Sequence, residues 1–290
     1  MLRAFATDPS ARGLADDAAV LDINGGELVF THDMMVEGVH WRAGDDPADV
    51  AWKLVSVNLS DLAAKGARPL GVLLGFTLGD DDWDRRFAAG LKTVLAHYHV
   101  PMLGGDTVGG QGVRHLGLTA IGSATHSPVP SRSGARPGDG LFVTGCVGDA
   151  LAGFENGQIE RLGNAYARPR ALLAEGAALA PHVHAMMDIS DGLLLDASRM
   201  AQASGLALHI DLATVPLSPD YVAQKGEDRS ARIAAASWGD DYQLLFAGPV
   251  GSFWPVDAVQ VGLFMEGEGL ALFDRAHPVE LPAKLGYQHR

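Results

Sequence analysis

At 290 residues the chain has room for roughly two domains, and 47% hydrophobic with 20% charged residues is the composition of a globular protein with a substantial core. Its 22 Lys and Arg against 35 Asp and Glu leave a formal charge of −13, which argues against a nucleic-acid binder built on a basic stripe but leaves phosphate ligands open, since bound divalent cations reverse the sign of an acidic pocket. A single cysteine, Cys146, excludes an internal disulfide, a thiolate zinc centre and a thiol pair, and suits a reducing, cytoplasmic setting.

In chain order, Asn24-Gly25-Gly26 separates AAVLDI from ELVFTHD and predicts a hairpin between two strands. The segment PADVAWKLVSVNLSDLAAKG is framed as a helix by Asp46 at the cap, Pro47 at the first helical position and Gly66 at the stop. Within it Trp52, Val55, Leu59 and Leu62 recur at helical spacing. PLGVLLGFTL reads as a strand, DDWDRRFAAGLKTVLAHYH as a helix and RHLGLTAIGSA as a strand. A Ser/Pro/Gly/Arg-rich stretch over 127–140 breaks the pattern, so a domain boundary is expected there, with units 1–127 and 128–290. The second half restarts with the strand GLFVTG and the glycine-punctuated loop GCVGDALAG. Helices are expected near 168–180 and 191–204 with the strand HAMMDI between them, and LALHIDL, DYQLLFAG and AVQVGLF read as later strands. The class is α/β in two domains. No apolar run approaches the ~20 residues that span a bilayer, so neither membrane insertion nor export is expected.

The Walker loop, GxGxxG, HExxH, GxSxG and the protein-kinase HRD and DFG motifs are all missing. What recurs is aspartate at the edges of apolar segments: Asp16-Asp17, Asp33, Asp61, Asp106, Asp188, Asp191 and Asp240-Asp241. Any one of these reads most simply as a turn or a cap, Asp191 as the cap of GLLLDASRM. Gathered together, such carboxylates would repel one another unless a divalent cation lay among them, and oxygen-only ligation suits Mg²⁺. The pairs His97/His99 and His182/His184 lack a third ligand at useful spacing.

The motifs DDAAVL, THDMMVEGVHW, NLSDLAAKGARP, LGGDT, SRSGARPGD, FVTG, DISDGL and GDDYQLLF occur in the order found in thiamine-monophosphate kinases. Over residues 13–287 the chain resembles that family, within the superfamily of aminoimidazole ribonucleotide synthase. The resemblance implies a two-domain fold of that type, with an N-terminal sheet that forms a dimeric barrel with a second subunit and a C-terminal α/β domain. It implies transfer of the γ-phosphate of ATP to thiamine monophosphate, assisted by several Mg²⁺ ions; no residue is expected to act as general base, because the acceptor phosphate is already mostly dianionic at neutral pH. Asp17, Thr31, Asp33, Asp61, Asp106, Asp188 and Asp191 fall on metal-ligand positions; Gly105, Asp106, Arg132 and Ser190 on ATP-contacting positions; His40, Asp240 and Tyr287 on substrate-contacting positions. The chain departs from the family in carrying His32 where Ser or Thr is usual, and Asp240 where Glu is usual. Rival readings on the same scaffold are aminoimidazole ribonucleotide synthase, disfavoured by THDMMVEGVHW and NLSDLAAKGA, and a non-catalytic nucleotide- or cation-binding homologue, disfavoured by the retained aspartates.

Overall fold

A computed structural model describes residues 7–110, 112–157 and 159–288. Strands β1 (Ala19–Ile23) and β2 (Gly26–Val36) form the hairpin, pairing antiparallel from Ile23 opposite Gly26 around Asn24-Gly25, with Gly25 at φ 112°. They join β3 (Ala67–Leu78), β4 (Met102–Gly109) and β5 (His115–Ala124) in a five-stranded sheet of order β1-β2-β5-β3-β4, parallel only between β3 and β4. Helices α1 (Pro47–Ala64) and α2 (Asp81–Tyr98) cover one face, on a core that includes Val29, Leu54, Val72, Phe87, Leu116 and Leu118. Among the described residues nothing covers the other face, where Met34, Leu73 and Leu103 lie exposed.

Helix α1 starts as its sequence dictates: Asp46 accepts from Ala48 N–H at 2.8 Å and Pro47 occupies the first turn. It is apolar on nearly every side, the mark of a helix packed all round. Towards its end Ala63 and Ala64 leave the first core and pack with Phe142, Leu179, Met186 and Phe246 of the second half. Two glycines permit this approach. A Cβ on Gly176 would lie 1.9 Å from Ala63 O, and one on Gly66 would lie 2.4 Å from Ala180 Cβ.

The second sheet has the order β12-β11-β8-β10-β6-β9-β7, with β6 (Asp139–Thr144) and β7 (Ala185–Asp188) buried throughout, β8 (Ala207–Asp211), β9 (Leu244–Pro249), β10 (Ala258–Met265), β11 (Gly269–Asp274) and β12 (His277–Val279). Around it lie α3 (Asp149–Glu155), α4 (Glu160–Ala167), α5 (Leu173–Leu179), α6 (Leu193–Ser204), α7 (Pro219–Lys225) and α8 (Arg229–Ala236). Strand β4, the short helices α3, α4, α7 and α8, and strands β11 and β12 have no counterpart among the expected elements. Among the described residues no helix is long and apolar enough to cross a membrane.

Candidate active site

The site is built where α1 meets the end of β7. Strand alternation puts Thr31 and Asp33 of β2 on the helix-covered face, Thr31 beside Val29 and Met35, while His32 is exposed on the opposite face and meets Thr119 Oγ1 at 2.9 Å. Asn58 of α1 accepts the Asp33 N–H at 3.0 Å, and Thr31 donates to Asp61. From the far side Asp188 ends β7, held by Ser60 Oγ at 2.6 Å. Carboxylate oxygens of Asp17, Asp61 and Asp188 thereby come within 4.8 Å of one another. Burial pushes Asp188 up to about 8, helped by Asp17 and opposed by the Ser60 hydrogen bond. Burial also raises Asp61 well above the carboxylate range, and Asp33, Asp188 and Asp17 add to this by repulsion. The triad is therefore a place where negative charge is unwelcome until a cation arrives. Its donors are all hard oxygens, the set that Mg²⁺ takes.

Next to the triad stand cations. Arg132 bonds Asp17, and Lys65, which is 0% exposed, reaches Asp16 at 2.6 Å and Asp17 at 2.7 Å. Burial alone would raise Asp16, but Lys65 and Arg12 hold it well below the usual carboxylate range.

A second group lies nearer the start of α1. Lys53 Nζ is 2.7 Å from Asp240 Oδ2 and 3.3 Å from His40 O, and stands 4.0 Å from the centroid of the Tyr166 ring. Phe154, Tyr166 and Trp238 form an aromatic wall with Phe154 at its centre, 5.2 Å and 5.1 Å from the other two rings, and Arg42 covers Phe154 at 3.8 Å. Asp240 and Tyr242 both have positive φ, 59° and 49°, held by Asp240 N–H to Ser190 O and Tyr242 N–H to Ile189 O. Such strain in non-glycine residues needs a surrounding structure that over-determines it. The Tyr287 N–H donates to Asp191 O at 2.9 Å, so the tail, the DISDG loop and the Asp240 loop meet.

Two models of the AIR synthase related protein family match, the N-terminal domain over residues 15–124 and the C-terminal domain over 136–286. The thiamine-monophosphate kinase of Caulobacter vibrioides is 39% identical over 306 residues, covering 97% of this chain and 86% of that protein. That of Escherichia coli K12 is 35% identical, with 96% and 91% covered. The chain belongs to the thiamine-monophosphate kinase family. A solved structure of AaThiL complexed with AMPPCP and TMP superposes with a TM-score of 0.84 at 31% identity, covering 94% of this chain and 91% of that one.

Of the positions matched to metal ligands in thiamine-monophosphate kinases, Asp17, Asp61 and Asp188 converge, with Thr31 and Asp33 adjoining. Asp191 stands apart, its carboxylate 2.5 Å from Arg199. It does not cap α6 either. No side chain caps α6; the buried Asp196 of its first turn instead ties down the loop before it, accepting from Ser190, Asp191 and Gly192 N–H at 3.1, 2.9 and 3.2 Å. Gly105 and Asp106 sit on the exposed edge strand β4. Gly105 has a reason of its own, since a Cβ there would lie 2.1 Å from Leu74 O. Asp106 falls in the row Met34–Gly117–Gly75–Asp106, on the uncovered face. Asp33 is three strand spacings away, about 14 Å, and on the other face. Lys65, Lys53 and Asp196 carry much of the local charge and were missed by motif reasoning. Their one sequence signal is a charged residue inside an apolar helical run, for Lys53 and Asp196, or directly after one, for Lys65.

Proposed function

We infer that this chain transfers the γ-phosphate of ATP to thiamine monophosphate, giving ADP and thiamine diphosphate. The observation that carries the reading is the convergence of Asp17, Asp61 and Asp188, from a loop, a helix and a strand end, into one oxygen-only triad. Asp17, Asp61 and Asp188, with Asp33 adjoining, would hold Mg²⁺, which when bound neutralises phosphoryl charge in the ground state and in transfer. Arg132, now engaged by Asp17, carries the planar fork that suits two phosphoryl oxygens. The faces of Phe154, Tyr166 and Trp238 and the carboxylate of Asp240 suit a cationic thiazolium, and His40 and Tyr287 border the same region. The acceptor needs no base. A phosphate monoester loses its second proton near pH ~6 and is mostly dianionic at neutrality. Transfer is direct and in line, and a trapped phosphoenzyme would refute that step.

The functional unit we propose is a homodimer assembled on the uncovered face of the first sheet, with residues 1–127 as the nucleotide, metal and dimerisation unit and 128–290 as the unit that closes over the site. In that arrangement Gly105 and Asp106 serve the partner's site, because their own triad lies across the sheet. The deciding test of the activity is ADP release in Mg²⁺, which should appear on adding thiamine monophosphate and vanish in Asp33→Asn with the fold intact by circular dichroism. ADP release indifferent to thiamine monophosphate would end the reading.

A further inference from the structure

Lys65 has no role in the reading above, yet its ammonium is the most deeply buried cation at the site. It stands four residues after Asp61, just past the last residue of α1. Its side chain is 0% exposed, and Nζ lies 2.6 Å from Asp16 Oδ1, 2.7 Å from Asp17 Oδ2 and 3.2 Å from Met186 O. The ammonium donates hydrogen bonds to Asp16 Oδ1 and Met186 O, while Asp17 Oδ2 stands beside it as an ion pair outside hydrogen-bond geometry. Arg12 takes the other oxygen of Asp16 at 2.7 Å, and Arg132 takes the other oxygen of Asp17. Asp17 is thus shared: it belongs to the carboxylate triad and to the lysine.

We propose that Lys65 is a built-in counter-cation of the triad, which weakens divalent-cation binding there by supplying one positive charge of its own. Its charge stands at contact distance from Asp17 in a buried site. Coulomb interaction between a fixed ammonium and an incoming dication is repulsive and poorly screened there. The lysine also competes for the Asp17 oxygen. A merely structural lysine would act otherwise, since its loss would loosen Asp17 and weaken cation binding. The two roles predict opposite signs.

The inference rests on the triad being a divalent-cation site, so the experiment reads cation binding directly. Mn²⁺ titrated into the nucleotide-free protein and followed by electron paramagnetic resonance should bind about ten-fold more tightly to Lys65→Met, and also to Lys65→Gln, than to the unsubstituted protein. The melting temperature of Lys65→Met should fall in chelator and rise more steeply with added Mn²⁺. Unchanged or weaker Mn²⁺ binding in both variants would overturn the role of Lys65 while leaving the site itself standing. Absence of Mn²⁺ binding to the unsubstituted protein would overturn both. Should the single variants not fold, the charge-balanced pair Asp16→Asn/Lys65→Met removes carboxylate and ammonium together. Its Mn²⁺ affinity should stay within about three-fold of the original, and a loss of ten-fold or more would refute the proposal.

Discussion

At the scale of single residues the site is an electrostatic problem held in suspension. Asp188 is pushed up to about 8 by burial and by Asp17, against an ordinary value of 3.8 in the unfolded chain. A carboxyl raised on folding binds its proton more tightly in the native state, so stability is highest at low pH and is lost as pH rises from 3.8 through about 8. In chelator, therefore, the melting temperature should fall across that window, and Asp188→Asn should flatten the fall. Mn²⁺ should reverse the slope, because it binds the ionised form. A chelated protein whose melting temperature changes from pH 5 to pH 8 no differently from that of Asp188→Asn would contradict this. The pairing of Thr31 with Asp33, and the exclusion of His32 from their side, were legible from strand alternation alone. The separation of Asp191 from the triad was not. It depends on Arg199, eight residues on, and on Asp196, whose carboxylate takes the N–H groups of the loop that carries Asp191.

Among elements, α1 carries the architecture. One end is capped by Asp46, its middle supplies Asn58, Ser60 and Asp61, and its last turn packs on α5. Asp46→Ala should cost about 1 kcal/mol in urea unfolding, the usual loss for an N-cap aspartate, with the Arg86 pair at half-exposed Asp46 adding little. Gly176→Ala should cost more, about 1–3 kcal/mol, because its Cβ would stand 1.9 Å from backbone oxygen of Ala63 and the helices must part. That parting would also disturb the Ser60–Asp188 contact, so kcat should drop with stability. A Gly176→Ala protein as stable as the original would show that α5 can slide on α1. Helix α1 was legible because cap, proline, apolar spacing and stop all agree. Strand β4 was hidden: Gly104-Gly105 present no side chains, and as an edge strand it is exposed along almost its whole length, so no alternation of apolar and polar residues marks it. Short helices such as α3 and α4 leave too few turns for a period to emerge.

For the whole molecule the uncovered face of the first sheet is the feature that demands an occupant. Met34 at 52%, Leu73 at 39% and Leu103 at 54% exposure lie on strands whose opposite face is packed by α1 and α2, and a one-sided sheet of this size is usually covered. A second copy would cover it and would bring in Asp106, which faces that side about 14 Å from Asp33 of its own chain. The arrangement can be tested by subunit mixing. Asp106→Ala and Asp61→Asn should each be inactive as homodimers. Co-refolded at equal concentration, half of the dimers would be mixed, and in each mixed dimer one site would combine Asp61 from one chain with Asp106 from the other, both intact. Activity should return to about a quarter of the unsubstituted level, the share of sites that are whole. If Asp106 served its own chain, every site in the mixed dimer would lack one of the two carboxylates and no activity would return. Met34→Asp should abolish the recovery as well, by placing a charge on the shared face, and should shift the sedimenting species to a monomer that retains its far-ultraviolet circular dichroism.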